Sequence, residues 1–297
     1  MIKGLYYSVV ARSKLAARSS TFTALQRALS GLPLLGGALL AAKRSAARIL
    51  LPSEFTWVQV ESGLAQGLWL LLDLDIEGGY WIGSYEPKVQ YYLERCCAPG
   101  SVFYDIGTSL GFFSLAVARR VGPQGKVFGF EPEPDNARRF SQMIVRNSFQ
   151  DRVTVIDAAA WSCSSNEICF QRGGVQSTYG GVLADGQRPV LAQGGTRLVR
   201  SVSLDDFVAE GHPAPGVIKI DVEGGESEVL KGARHIFAWA KPTLICEVHH
   251  RDAAHWITKW LAEVKYIVEW HIPEEQFPRL LFAEAAHPGA LHAAIPS

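Results

Sequence analysis

Five apolar runs in this chain each end in residues able to hold or move a proton. Val102-Phe103-Tyr104 leads into Asp105, Val127 to Phe130 into Glu131, and the run from Arg152 into Asp157-Ala158. Val217, Ile218 and Ile220 lead into Asp221, with Glu223 and Glu226 close behind, and TLICEVHH carries Glu247, His249 and His250. A carboxylate at the end of a buried strand can accept hydrogen bonds from ligand hydroxyl or amino groups. An imidazole, with an ordinary pKa of about 6.5, can take a proton near neutral pH. His249 is therefore the candidate general base, and Asp221 stands where a substrate hydroxyl should arrive. The plainer alternative for His249 is a satisfied core histidine. Asp221, Glu223, Glu247 and His249 could instead gather a divalent cation that acidifies the hydroxyl; the reading adopted needs no metal.

The runs ending in Asp105 and Glu131 bracket a tight turn, Gly107 to Gly111, and an apolar-periodic segment with Phe113, Ala116, Val117 and Val121 at helical spacing. Gly122-Pro123 stops that segment, so the stretch reads strand, turn, helix, strand. Ligands of open parallel sheets bind at the C-terminal strand ends. Gly107 and Gly111 would let a ligand approach the backbone, and Glu131 would accept the 2′- and 3′-hydroxyls of a ribose. Dinucleotide sites use G-x-G-x-x-G, whereas Thr108 and Ser109 stand here where the second glycine would be. Without a phosphate cradle, the turn suits S-adenosylmethionine better than a nicotinamide dinucleotide. Asp105 and Gly107 would hold its methionine end, Ser109 and Gly111 also belong to the cofactor-binding set, and Asp157 is either an adenine partner or a turn residue.

The elements that must position these groups follow from periodicity. Phe55, Trp57, Val58 and Val60, then Gly67 to Leu72, predict a β-hairpin, with a turn at Gly78-Gly79. Tyr85 to Cys97 predicts a helix, as do the periods through Ala137, Phe140 and Ile144 and through Ala253 to Glu263. Glycine pairs punctuate residues 163–202, which read as an inserted hairpin region or a flexible lid. Ser203 to Asp206 is a capping box. Lys219 interrupts a buried strand and calls for an ion pair with Asp221. Lys265 to Trp270 predicts a strand and Leu280 to Ala283 a final edge strand. The divisions are thus a basic arm (1–53), a hairpin and helix (54–100), the main α/β domain (101–284) and a loose tail (285–297).

The formal charge is balanced, 29 basic against 29 acidic residues, so the whole chain has no nucleic-acid footprint. The arm differs, with eight basic residues and no acid, which leaves 21 basic against 29 acidic residues in the body. Its apolar core, Ala28 to Ala42, has 15 residues, short of the roughly 20 that span a bilayer. A packing or mobile arm, a helix on an anionic membrane and an organelle-targeting segment all fit that composition. Five cysteines without C-x-x-C indicate neither a disulfide framework nor a structural zinc site, and suggest a reducing, cytoplasmic setting.

From about Gly63 to His249 the chain resembles the FkbM family of S-adenosylmethionine-dependent methyltransferases. The resemblance rests on Gly83-x-Tyr85-Glu86, DIGTSLGFFSL, FEPEP-x-N with Asn136, SLDDF, IKIDVEGGESEVLKGA and CEVH. It implies an α/β, Rossmann-like, seven-stranded class I methyltransferase fold. It further implies O-methylation of a hydroxyl on a small molecule, such as a sugar, a glycan or a secondary metabolite. The family turn normally reads D-x-G-A-N-x-G, and Thr108-Ser109 replace Ala-Asn here. A nicotinamide-dependent oxidoreductase and a non-catalytic scaffold of the same fold are the alternatives.

Overall fold

The computed structural model describes residues 55–74, 76–172, 180–182, 196–271 and 276–286. The basic arm, residues 173–179 and 183–195 of the Gly-rich stretch, and the tail beyond residue 286 lie outside them. Contacts divide the chain into two units, Met1–Pro87 and Lys88–Ser297.

In the first unit, Thr56–Gln59 (β1) and Trp69–Leu72 (β2) pair antiparallel as a hairpin, in register Thr56 to Leu72. Alternation buries Val58, Leu70 and Leu72 on one face. The turn expected at Gly78-Gly79 is instead a short helix, Gly78–Ile82 (α1). Two glycines disfavour a helix by about 1 kcal/mol each. Here burial of Tyr80 and Trp81 offsets that, and left-handed Gly83 ends the helix. Pro87–Cys96 (α2), which belongs to the second unit from Lys88 on, starts at its proline, which lacks the N–H that a first helical position leaves unbonded anyway.

The second unit begins its sheet with Val102–Ile106 (β3), Phe112–Val121 (α3) and Lys126–Phe130 (β4), the strand-helix-strand that periodicity predicts. Pro134–Arg146 (α4) and Val153–Ile156 (β5) come next, then Ala159–Ala160 (β6), Glu167–Arg172 (β7), Gly180–Val182 (β8) and Thr196–Val202 (β9). Strands β6 to β9 form a separate four-stranded sheet, so the described part of the Gly-rich region is β-structure. Leu204–Ala209 (α5) is capped by Ser203, whose hydroxyl accepts the Asp206 N–H at 3.1 Å. The chain then runs through Val217–Ile220 (β10), Glu226–Lys231 (α6), Arg234–Trp239 (α7), Thr243–Val248 (β11), Arg251–Glu263 (α8), Tyr266–His271 (β12) and Arg279–Ala285 (β13). Asp205 ties α5 to α7 by accepting the N–H groups of His235 and Ile236, each at 2.9 Å.

The main sheet has the order β12-β13-β11-β10-β3-β4-β5, with β13 running against the other six. Leu280 to Ala283 therefore does not form an edge strand. It lies inside the sheet, with Ala283 opposite Leu244 on one side and Val268 on the other. The reason is readable in burial. Arg279 to Ala283 is buried throughout, as a strand covered on both faces must be, whereas β12 is buried only in part and takes the edge. No helix among the described residues is long and apolar enough to cross a membrane.

The chain builds β3, β4 and β5 outward and then crosses back to place β10 on the other side of β3. In open sheets such a reversal marks the C-terminal ends of the flanking strands, here β3, β4 and β10, as the edge where ligands bind. Asp105, Glu131 and Asp221 all lie at this edge, and the rings of Tyr104, Phe128, Phe130 and Phe207 pack against one another in the core.

Candidate active site

The turn after β3 is held by hydrogen bonds from both flanks. Gly107 and Thr108 donate their N–H groups to the Phe130 carbonyl, each at 3.1 Å, and Asp221 donates to Ile106 at 3.0 Å. Asp105 is fully buried, and one carboxylate oxygen accepts the hydroxyls of Thr108 (2.8 Å) and Ser114 (2.7 Å). The other oxygen has no hydrogen-bond partner among the described residues and faces the Lys219 ammonium at 3.9 Å. Asp105 thus braces the turn from behind. The Thr108 hydroxyl and Ser114 do work that sequence reasoning missed; a hydroxyl three residues after Asp105 was the available signal.

The two turn glycines have a different reason from the one expected. Gly107 has φ +75°, and a Cβ there would lie 1.8 Å from the Asp221 carbonyl oxygen. At Gly111, φ +86°, it would lie 2.0 Å from the Phe140 ring. Protein fills both directions, so glycine permits close packing of the turn on β10 and on α4, and only the remaining backbone is left to face a ligand. Ser109 adopts φ +52° without being glycine. Asparagine, the residue of the family turn, tolerates that conformation better than serine. The Ser109 hydroxyl is buried without a hydrogen-bond partner among the described residues, while its N–H donates to Glu131 Oε2 at 2.8 Å.

Glu131 stands at the end of β4, as periodicity predicts, but is buried rather than solvated, with 5% exposure. Oε1 accepts the Glu133 N–H at 2.8 Å. Burial pushes its carboxyl up to about 8, against the N–H groups of Glu133 and Ser109 and a hydrogen bond with Asn136, which favour the charged form. Each oxygen has one backbone donor, so the carboxylate has spare lone pairs and too few donors for its charge. A ribose hydroxyl pair would supply them, and in that respect these residues fit S-adenosylmethionine. Asp157 follows β5 at the same sheet edge and is exposed.

Beside the turn, Lys219 is buried and pairs with Asp221 Oδ2 at 3.3 Å, the ion pair the strand pattern calls for. Strand β11 ends at Val248, which puts His249 in the following loop. Its Nδ1 bonds Glu226 Oε1 at 2.7 Å, while Nε2 lies 3.3 Å from Glu223 Oε2 and 3.8 Å from Asp221 Oδ1. Ligand atoms of Asp221, Glu223 and His249 all fall within 4.8 Å of one another; Glu247 is outside that trio, although its carboxylate approaches Asp221. Glu226, on α6, is fully buried and also accepts the Gly224 N–H at 2.8 Å. Its task of aiming the imidazole was not legible, because 23 residues separate the two.

The ordinary imidazole pKa expected for His249 does not hold. Burial disfavours the imidazolium, yet the Glu226 hydrogen bond and the charges of Glu226, Glu223 and Asp221 outweigh it and push the ring up to about 9. Glu223 is pushed up as well, by burial first and by its acidic neighbours, against the pull of His249. At neutral pH this imidazole is charged, and a charged imidazole accepts no proton.

The family model for the Methyltransferase FkbM domain matches residues 105–268. The chain belongs to the FkbM methyltransferase domain family. All the site residues above from Asp105 to His249 lie within the matched FkbM domain. The hexuronic acid methyltransferase AglP of Haloferax volcanii is 31% identical over 170 residues, covering 57% of this chain and 64% of that relative. The 31-O-demethyl-FK506 methyltransferase FkbM of Streptomyces tacrolimicus is 29% identical over 211 residues, covering 62% of this chain and 77% of the relative. A solved methyltransferase FkbM from Methylobacillus flagellatus superposes with a TM-score of 0.45 at 19% identity, covering 67% of this chain and 51% of its own.

Proposed function

We propose that this FkbM-domain chain transfers a methyl group from S-adenosylmethionine to a hydroxyl of a sugar, a glycan or a secondary metabolite. One observation carries the reading: the Asp221 backbone packs directly on Gly107, so the acid–imidazole cluster and the glycine turn share one sheet edge. The names of the two curated relatives, a hexuronic acid methyltransferase and a 31-O-demethyl-FK506 methyltransferase, favour a hydroxyl acceptor.

Glu131 would hold the ribose, and the backbone from Gly107 to Gly111 the methionine end, with Asp157 near the adenine. When bound, the cofactor supplies a methyl on a sulfonium, whose carbon–sulfur electron pair returns to sulfur as the acceptor oxygen takes the methyl. The chain's own residues position the acceptor and receive its proton. Asp221 and Glu223, rather than charged His249, are the groups at this edge able to accept it. Holding the hydroxyl in line is itself worth several kcal/mol of barrier, of the order seen for well-oriented intramolecular reactions.

Calorimetric titration tests the cofactor half of the reading: S-adenosylhomocysteine should bind and NADH should not. Incubating labelled-methyl cofactor with hexuronic acids and glycans tests the acceptor half, with label expected in an alkali-stable ether. Failure of S-adenosylhomocysteine to bind would leave a scaffold of the same fold as the better account.

A further inference from the structure

We propose that Asp221, Glu223 and His249 form a divalent-cation site. Nε2 of His249 and the two carboxylate oxygens are 3.3 and 3.8 Å apart. Ligands about 2.1 Å from one ion sit about 3.0 Å apart when cis on an octahedron and about 3.4 Å apart on a tetrahedron. Glu223 is therefore already in place, and Asp221 needs a shift of well under about 1 Å, within reach of a rotamer adjustment.

Two further observations separate this cluster from a chance gathering of acids. Glu226 fixes the imidazole through Nδ1 and so presents Nε2, the arrangement by which an outer carboxylate orients a metal-binding histidine. Its second oxygen is fully buried and has no hydrogen-bond partner among the described residues. Charge is also out of balance. Asp105, Asp221, Glu223 and Glu226 bring four negative charges to Lys219 and His249. Two negative charges remain even when both cations are counted, and buried unpaired charge is costly. Binding at Nε2 displaces the His249 proton, so a bound dication adds one net positive charge and cancels one of the two.

The donor set selects the ion. Two carboxylates favour hard cations and one imidazole favours first-row metals; no thiolate is among the three ligand groups. Mn²⁺ satisfies both preferences. Glu223 is 38% exposed, so the site is open on one side and leaves positions for oxygens of an acceptor. A vicinal diol or hydroxy acid could chelate there, and the ion would acidify the hydroxyl to be methylated; with Asp221 and Glu223 engaged on the ion instead of taking the proton themselves, that proton would leave to water. That use rests on the methyl-transfer reading; the binding of the ion does not.

The test uses the full chain, stripped with a chelator and titrated with MnCl₂ alone, following loss of the free-ion electron paramagnetic resonance signal. One ion per chain at micromolar affinity is expected. Glu223→Gln should bind at least tenfold more weakly, and being partly exposed it should still fold and unfold in one cooperative thermal transition. Glu226→Gln should weaken binding roughly 10- to 100-fold through the imidazole alone. No stoichiometric Mn²⁺, or equal affinity in wild type and a folded Glu223→Gln, overturns the site. S-adenosylhomocysteine calorimetry on the same preparation keeps the two readings apart, because cofactor binding can fail while the ion still binds, and the reverse.

Discussion

Substituting alanine at Gly107 should separate close packing from backbone strain. The comparison is Gly100→Ala, since Gly100 has φ +83° and an added Cβ would meet nothing within 4 Å, while Gly107 has φ +75° and the Asp221 carbonyl oxygen at 1.8 Å. Placing alanine in the left-handed region costs about 1–2 kcal/mol at either position. At Gly107 the new methyl must also push a backbone oxygen away by about 1.6 Å to reach ordinary contact, and backbone cannot swing aside as a side chain can. The Asp221 N–H bond to Ile106, 3.0 Å long, lies in the path of that movement. Losing it leaves buried backbone groups unmatched, at about 1–3 kcal/mol. Gly107→Ala should therefore lose about 3–5 kcal/mol against about 1–2 kcal/mol for Gly100→Ala. Urea unfolding of the three proteins, read as midpoints at a common slope, measures the difference. In protein that remains folded, S-adenosylhomocysteine affinity should also fall in Gly107→Ala alone. Equal losses from the two substitutions would refute the claim that the turn is packed rigidly on β10.

Glu131→Gln should weaken S-adenosylhomocysteine binding by roughly 10- to 100-fold in calorimetry, the worth of one charge-assisted hydrogen bond. The glutamine keeps an acceptor for one of the Ser109 and Glu133 N–H groups, whereas Glu131→Ala would strip both and confound affinity with folding further. Because the Glu131 carboxyl is pushed up to about 8, cofactor binding near pH 7 should release a proton as ribose donors favour the carboxylate. The apparent enthalpy should then differ between buffers of different ionisation enthalpy, and identical values would count against the assignment. In chelator-treated protein, His249 holds its proton to about pH 9, well above the 6.5 of an unfolded chain. The stability it adds is fully present below pH 6.5 and disappears as pH rises through about 9. Thermal unfolding of wild type should show that decline, and His249→Gln should flatten it. Ser203→Ala should cost about 1 kcal/mol by uncapping α5, checked by the same unfolding measurement.

Periodicity and punctuation alone determined much of this chain. The alternation from Val102 to Phe130, the glycine turn and Gly122-Pro123 specify strand, turn, helix and strand, because those patterns are local and each is satisfied by its own residues. They also put Asp105, Glu131 and Asp221 at strand ends, and Ser203 at the start of a helix. Tertiary structure decided what those residues do. Whether Leu280 to Ala283 lies at an edge or inside the sheet depends on which neighbours cover it, and its own apolar run is compatible with both. Gly107 is glycine because Asp221, 114 residues later, occupies the space a side chain would need. Glu131 and His249 depart from ordinary acid–base behaviour because burial and distant carboxylates act on them through space. Sequence spacing carries no record of those distances; only the folded sheet brings α6, β10 and the end of β11 together, and with them the charges that hold His249 protonated.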